Sequence, residues 1–191
     1  MGRNRSYDED EVLDAAMGVF RRGGYRAVSI RDLEEATGLR VGSLYNRFRD
    51  KAGLFDATFA RYNRTVLDGR LSRYAPPEAG PGGLRRLFLS LLDEPDGEGF
   101  GCLITNSAIE LGEGGRPHPC VSDGLETLTR AFAARLAAAH REGLPRPDVD
   151  AEIAAQKLLA LYQGILVLVR AGHDRSALAR MIDDEFDNLT T

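Results

Sequence analysis

Between Gly38 and Lys51 the chain gathers Arg40, Ser43, Tyr45, Asn46, Arg47 and Lys51 into one short segment. Guanidinium, amide, hydroxyl and ammonium groups at this density suit a polyanion. Arginine forks onto guanine or phosphate, and asparagine pairs with adenine through two hydrogen bonds. Leu39, Leu44 and Phe48 recur among them and can bind one face of a short helix onto a core. The chemistry implied is recognition of DNA rather than bond making.

Catalytic alternatives read less well. Gly97-Glu98-Gly99-Phe100-Gly101 is rich in glycine, but it follows no strand and lacks dinucleotide or phosphate-loop spacing. His118, His140 and His173 are not at ligand spacing with one another, and Pro117-His118-Pro119-Cys120 alone is not a metal site. No Ser or Cys has a His base that the sequence can place. No catalytic residue, cofactor or metal is therefore expected, and the protein is not expected to be an enzyme. Cys102, at the predicted start of a helix, offers a thiol that could sense electrophiles or oxidants, against the ordinary reading of a small buried residue.

The elements that must position Gly38–Lys51 are helical. Ser6-Tyr7-Asp8-Glu9 fits a capping box, and Val12, Leu13, Ala16, Val19 and Phe20 follow at three- and four-residue spacing until Gly23-Gly24. Ser29 with Asp32 starts a second helix, Ile30, Leu33 and Ala36 form its apolar stripe, and Gly38 stops it. Residues 7–48 thus read as three short helices, the last two joined by a tight turn: a helix-turn-helix. A longer helix spans 52–74. Pro76-Pro77 and Gly80-Pro81-Gly82-Gly83 break the chain, and further helices are predicted over 84–92, 102–111, 121–142, 150–171 and 176–189. No period-two alternation appears, so the fold class is all-α with about nine helices. The expected domains are a DNA-binding unit at 1–51, a connecting helix at 52–75 and a regulatory and dimerisation unit at 76–191.

From Leu158 to Val169 the chain is apolar on nearly all sides of its helix, yet this run is too short to span a bilayer. A helix of this kind must bury two faces. With the amphipathic last helix beside it, the expected cover is the same pair of helices in a second copy, through Leu161, Ile165, Leu168, Leu178, Ile182 and Phe186.

The chain has 191 residues with a net charge of -4, and 43% of them are hydrophobic, enough for a real core. Ten Lys/Arg against nine Asp/Glu in residues 1–51 leave that part near +1, whereas the remainder is acidic. DNA binding needs local positive charge only. Two cysteines and no secretory or membrane segment lead to an expected cytoplasmic location without disulfides.

The run Ser29-Ile30-Arg31-Asp32-Leu33 through Gly38-Leu39, then Gly42-Ser43-Leu44-Tyr45-Asn46-Arg47-Phe48 and Lys51-Ala52-Gly53-Leu54, resembles the TetR family of bacterial transcriptional repressors. The match covers about the first 60 residues; beyond it, helix number and order agree. One position departs: Glu34 stands where many members have a small residue, so its carboxylate is expected to reach solvent or a nearby Arg.

The resemblance implies a homodimer that binds a palindromic operator in double-stranded DNA, two recognition helices about one DNA turn apart. Carried over by position, Arg31, Arg40, Val41, Gly42, Ser43, Tyr45, Asn46, Arg47 and Lys51 line the DNA. Tyr45 and Lys51 hold phosphates, Ser43 a phosphate or base edge, and Arg40, Asn46 and Arg47 read bases, while Gly42 permits close approach. A small, hydrophobic or aromatic effector would release the operator, and Phe88, Leu92, Cys102, Asn106, Phe132 and Tyr162 are the candidate pocket residues. The residues leave open a helical small-molecule-binding protein or enzyme that never touches DNA.

Overall fold

The computed structural model describes residues 7–93, 101–112, 118–140 and 149–190. All regular structure among them is helical: α1 (Glu9–Ala27), α2 (Ile30–Thr37), α3 (Val41–Phe48), α4 (Lys51–Tyr62), α5 (Asp68–Tyr74), α6 (Gly80–Leu89), α7 (Leu103–Leu111), α8 (Pro119–His140), α9 (Ala151–Arg170) and α10 (Arg175–Thr190). A π-helical turn over Asn63–Leu67 joins α4 to α5, so these two run as one rod and the described residues make nine helices.

α1 carries its buried stripe of Val12, Leu13, Ala16, Met17, Val19 and Phe20 against α4 and α2. The expected capping box at Ser6 is replaced: Asp8 is the N-cap and accepts from the Asp10 N–H at 2.9 Å, while Ser6 lies outside the described residues. Glu9 is thereby left for another partner. The helix bends at Gly24, whose φ of 77° no ordinary side chain adopts readily, and one further turn follows to Ala27. In α2 only Leu33 is buried; Ile30 is half-buried and Ala36 exposed, because eight residues offer the core little more than one turn.

α6 begins at Gly80, earlier than the Pro/Gly run suggested. Pro81 sits in its first turn, where a missing N–H costs nothing. The rod and the C-terminal helices are joined by a buried polar side chain. The Arg135 guanidinium on α8 is buried and donates to the carbonyl of Ala75 at the end of α5, and to Ala131 at 2.9 Å; desolvation lowers its pKa. On the other side Arg61 pairs with Asp10 and Asp14 of α1, each at 2.6 Å, fixing α4 to α1.

The core of the C-terminal helices centres on Phe88. Its ring lies 5.6 Å from Phe132, 5.4 Å from Tyr162 and 5.2 Å from Phe186, which draws α6, α8, α9 and α10 to one point. α9 packs chiefly on α8 and α10 on α6. By length and composition α9 is the one described helix that could cross a membrane, a test that core helices of water-soluble proteins also pass.

The six residues expected between two copies divide. Ile165, Leu178, Ile182 and Phe186 are buried inside the single chain and belong to its own core; Leu161 and Leu168 are half-buried. The apolar side chains these helices leave open are Ile153 (58% exposed), Val167 (45%) and Met181 (37%). A helix apolar all round points in every direction, and only the packing of α8 and α6 shows which stripe is already covered.

Candidate DNA-reading surface

α2 is fixed at both ends by its own residues. The Ser29 hydroxyl accepts from the Asp32 N–H at 3.2 Å and the Asp32 carboxylate accepts from the Ser29 N–H at 2.8 Å, a complete capping box. These bonds hold the Asp32 carboxyl below its ordinary range, the backbone N–H contributing most and the Ser29 hydroxyl next. At the other end Gly38 adopts φ 69° and returns its N–H to the Glu34 carbonyl at 2.9 Å.

Glu34 resolves its departure from the family pattern in a way that the sequence did not suggest. Its carboxylate stays at the exposed surface, as expected, and there accepts from the Val41 N–H at 2.7 Å, at the first residue of α3. The Arg40 side chain, at the N-cap position, makes no capping hydrogen bond, so Glu34 supplies the acceptor and a negative charge at the positive helix end. One residue of α2 therefore sets the angle at which α3 leaves the turn.

α3 presents a clear division. Leu44 and Phe48 are buried; Val41, Gly42, Ser43, Asn46 and Arg47 are exposed, and Tyr45 is half-buried. Behind it the chain turns sharply through Arg49, the one described non-glycine residue with positive φ, at 71°. Asp50 then caps α4 by accepting from the Gly53 N–H at 2.8 Å. A Cβ on Gly53 would lie 2.1 Å from the Phe48 carbonyl oxygen, so only glycine lets α3 and α4 meet so closely.

The residues expected at the DNA differ in how free they are. Arg40, Val41, Gly42, Ser43 and Asn46 are exposed at the turn and on the open side of α3. Arg31 is exposed and pairs with Glu35 one turn along α2 at 2.9 Å. Arg47 is held: its Nε and Nη2 donate to the two Glu9 oxygens at 2.7 and 2.8 Å. These bonds, and then the Glu9 charge, raise the Arg47 pKa. Lys51 is half-buried with its Nζ 4.7 Å from the Tyr25 ring centre and 3.5 Å from the Arg26 carbonyl, which ties the start of α4 to the end of α1. Reading by Arg47 must therefore exchange a carboxylate for a base or phosphate. Glu9, read from the sequence as part of a capping box with Ser6, lies 38 positions from Arg47, and no local spacing signals their pairing.

A second surface lies on the far side of α1. A cleft of about 320 Å³ opens between α1, α7 and α9, lined in part by Arg21, Gly24, Cys102, Asn106, Glu110 and Arg170. Across it α7 grips α1. The Glu110 carboxylate accepts from the Tyr25 N–H at 2.7 Å and from the Arg26 N–H, and the Asn106 amide donates to the Arg21 carbonyl at 3.2 Å. Gly24 makes this possible, since a Cβ there would stand 2.8 Å from the Glu110 carboxylate. Of the candidate pocket residues, Cys102 and Asn106 line the cleft, whereas Phe88, Phe132 and Tyr162 are packed ring to ring and Leu92 is buried beside α6. Cys102 is 4% exposed and its Sγ accepts from the Tyr62 hydroxyl at 3.1 Å, a buried setting that favours the packing role over a sensing one. Burial drives the Tyr62 pKa well up.

Two family models match the chain. The N-terminal model of bacterial regulatory proteins of the tetR family covers residues 12–58, and the tetracyclin repressor-like C-terminal domain covers residues 83–184. The chain belongs to the TetR family. Among curated TetR relatives, the HTH-type transcriptional repressor ComR of Escherichia coli is 29% identical over 185 residues, spanning 90% of this chain and 83% of that protein. The repressor Rv1474c of Mycobacterium tuberculosis is also 29% identical, over 91% of this chain and 88% of that one. The TetR-family regulator CifR, solved as a cysteine mutant with 26-base-pair operator DNA, superimposes with a TM-score of 0.81 at 26% identity and covers 97% of this chain and 98% of its own. This TetR protein is a DNA-binding transcriptional regulator, and its all-helical architecture with an N-terminal helix-turn-helix is that of the family.

Proposed function

We propose that the protein is a transcriptional repressor that binds a palindromic operator as a homodimer and leaves it when a small effector is bound. Residues 1–51 act as the reading unit, 52–75 as the connecting rod and 76–191 as the regulatory and dimerising unit. The observation that carries the reading is the exposed row Val41, Gly42, Ser43, Asn46 and Arg47, set on a helix whose start is fixed by Glu34 and whose end is pressed against α4 at Gly53. Such a helix enters a major groove in one orientation. Arg40, Asn46 and Arg47 read bases; Tyr45, Lys51 and Arg31 hold phosphates, and Ser43 serves either. Relatives of similar length carry the name repressor, which supports that sign of control. A regulator of this kind acts in the cytoplasm and catalyses no reaction.

Dimerisation rests on the stripe left open on α9 and α10, with Val167 and Met181 exposed and Leu161 and Leu168 flanking them. The effector enters the cleft between α1, α7 and α9, meeting Cys102 and Asn106 first. An apolar body reaching further would part the Phe88, Phe132 and Tyr162 rings. Because Glu110 and Asn106 hold the bend of α1, a ligand that shifts α7 turns the reading unit. It must favour the turned state, since equal affinity for both states would change nothing.

Footprinting the purified protein on the DNA upstream of its own gene tests the proposal. The expected result is a protected palindrome whose affinity falls with salt. Arg47→Ala should relax preference at one base pair, while Lys51→Ala should weaken all sequences and flatten the salt slope by about one. Binding that is equal for all three proteins on cognate and scrambled DNA would refute it.

A further inference from the structure

His118 and Cys120 stand at the very start of α8, with Asp123 one turn further along the same helix. The fold adds a ligand from a second helix. Asp56, from the middle of α4, places its Oδ1 3.5 Å from the His118 Nε2 and 4.0 Å from the Cys120 Sγ. One donor atom from each residue lies within 4.8 Å of the others. We propose that Asp56, His118 and Cys120 form a binding site for a divalent transition-metal ion of the Zn2+ class, joining α4 to α8.

The donor set selects the ion. Thiolate, imidazole and carboxylate are the three protein ligands of Zn2+, whereas Mg2+ and Ca2+ take oxygen alone. Metal–ligand bonds of about 2.0–2.3 Å put tetrahedral neighbours roughly 3.3–3.7 Å apart. The separations from Asp56 therefore need to close by about half an ångström and the third by up to about 1.5 Å, within reach of side-chain rotation. Three protein ligands leave a fourth position to water.

One further feature marks the place as built. The frame around the trio is fixed: the His118 ring stands edge-on to Phe55 at 5.8 Å, and the Asn63 amide, at the start of the π-helical turn after α4, donates to the Cys120 carbonyl at 3.4 Å, holding the first turn of α8 in place. Access remains, because His118 and Asp56 side chains are 30% and 53% exposed. In the metal-free protein burial, and then the Asp56 and Asp123 carboxylates, push the Cys120 thiol up to about 11. Coordination accordingly forms the sulfur–metal bond and releases the thiol proton to solvent.

α4 is the rod that carries the reading unit and α8 belongs to the regulatory unit, so an ion here would fix the joint between them. The site does not depend on the DNA reading, and its test needs no operator. The metal-free full-length protein is titrated with Co2+ as a spectroscopic probe and then with competing Zn2+. One ion per chain is expected, with a thiolate-to-cobalt absorption band in the near ultraviolet that Zn2+ abolishes. Cys120→Ser should remove the band; Asp56→Asn and His118→Gln should weaken affinity by about 10-fold or more. Zn2+ should raise the melting temperature of the wild type and not that of Cys120→Ser. No band in the wild type, or one that survives Cys120→Ser, overturns the assignment. Asp56→Asn alters an exposed side chain and leaves the core intact, so wild-type Co2+ affinity in that variant overturns it equally.

Discussion

α3 and the ring cluster around Phe88 are held in place by opposite means. α3 puts only Leu44 and Phe48 into the core and relies on single polar contacts and close approaches: Glu34 at its start, Gly53 behind its end, Glu9 on Arg47. Phe88 is fully buried among Phe132, Tyr162 and Phe186, contributed by three other helices. A helix of eight residues is too short to persist on its own, so its caps and neighbours decide whether it exists. The ring cluster draws on burial, which is larger and less directional. The reading surface gains exposed, well-aimed side chains from this arrangement at the cost of depending on a few atoms.

The comparison breaks first at its strongest point. Phe88→Ala should destabilise the protein by about 3–5 kcal/mol in urea unfolding, since the cavity lies where four helices meet. A loss under about 1 kcal/mol would mean that the rings are not the keystone. Next comes Gly53→Ala, where the added methyl must displace the Phe48 carbonyl; about 1–3 kcal/mol of stability is expected to go, and operator binding with it. Unchanged binding in that variant would show that the close approach of α3 to α4 is dispensable.

Smaller effects sharpen the contrast. Arg47→Ala should cost roughly 10- to 100-fold in operator affinity while barely moving the melting temperature, because its pair with Glu9 is exposed. Glu9→Gln, which removes the competing carboxylate charge, should raise operator affinity; a fall would assign Glu9 a positioning role. Ser29→Ala should lower stability by about 1 kcal/mol through the lost cap. It should also change the acid side of the stability profile. Asp32 has a folded pKa below its ordinary 3.8, so its contribution is full above that value and disappears as the pH falls through the lower folded one. Removing the Ser29 hydroxyl should flatten this slope below about pH 4, which unfolding at stepped pH would reveal.

Much of this was legible in the chain. The capping box at Ser29 and Asp32, the stop at Gly38, the burial of Leu44 and Phe48 and the helices from 150 and 176 are all written in spacings of three or four residues. Errors arose where local rules compete. Pro81 reads as a breaker but serves a first turn, and Ser6 looked a better cap than Asp8. Ile165, Leu178, Ile182 and Phe186 are buried in the chain's own core, a use that composition does not distinguish from burial against a partner.

The sequence by itself determined the helix order, the helix-turn-helix and the family, because capping, turn residues and apolar periodicity act over one or two turns. Tertiary structure alone decided which charges meet: Glu9 with Arg47, Glu110 with the bend after Gly24, and Asp56 with His118 and Cys120. These pairs lie far apart along the chain. Their distances follow from how whole helices cross, and no local pattern encodes a crossing.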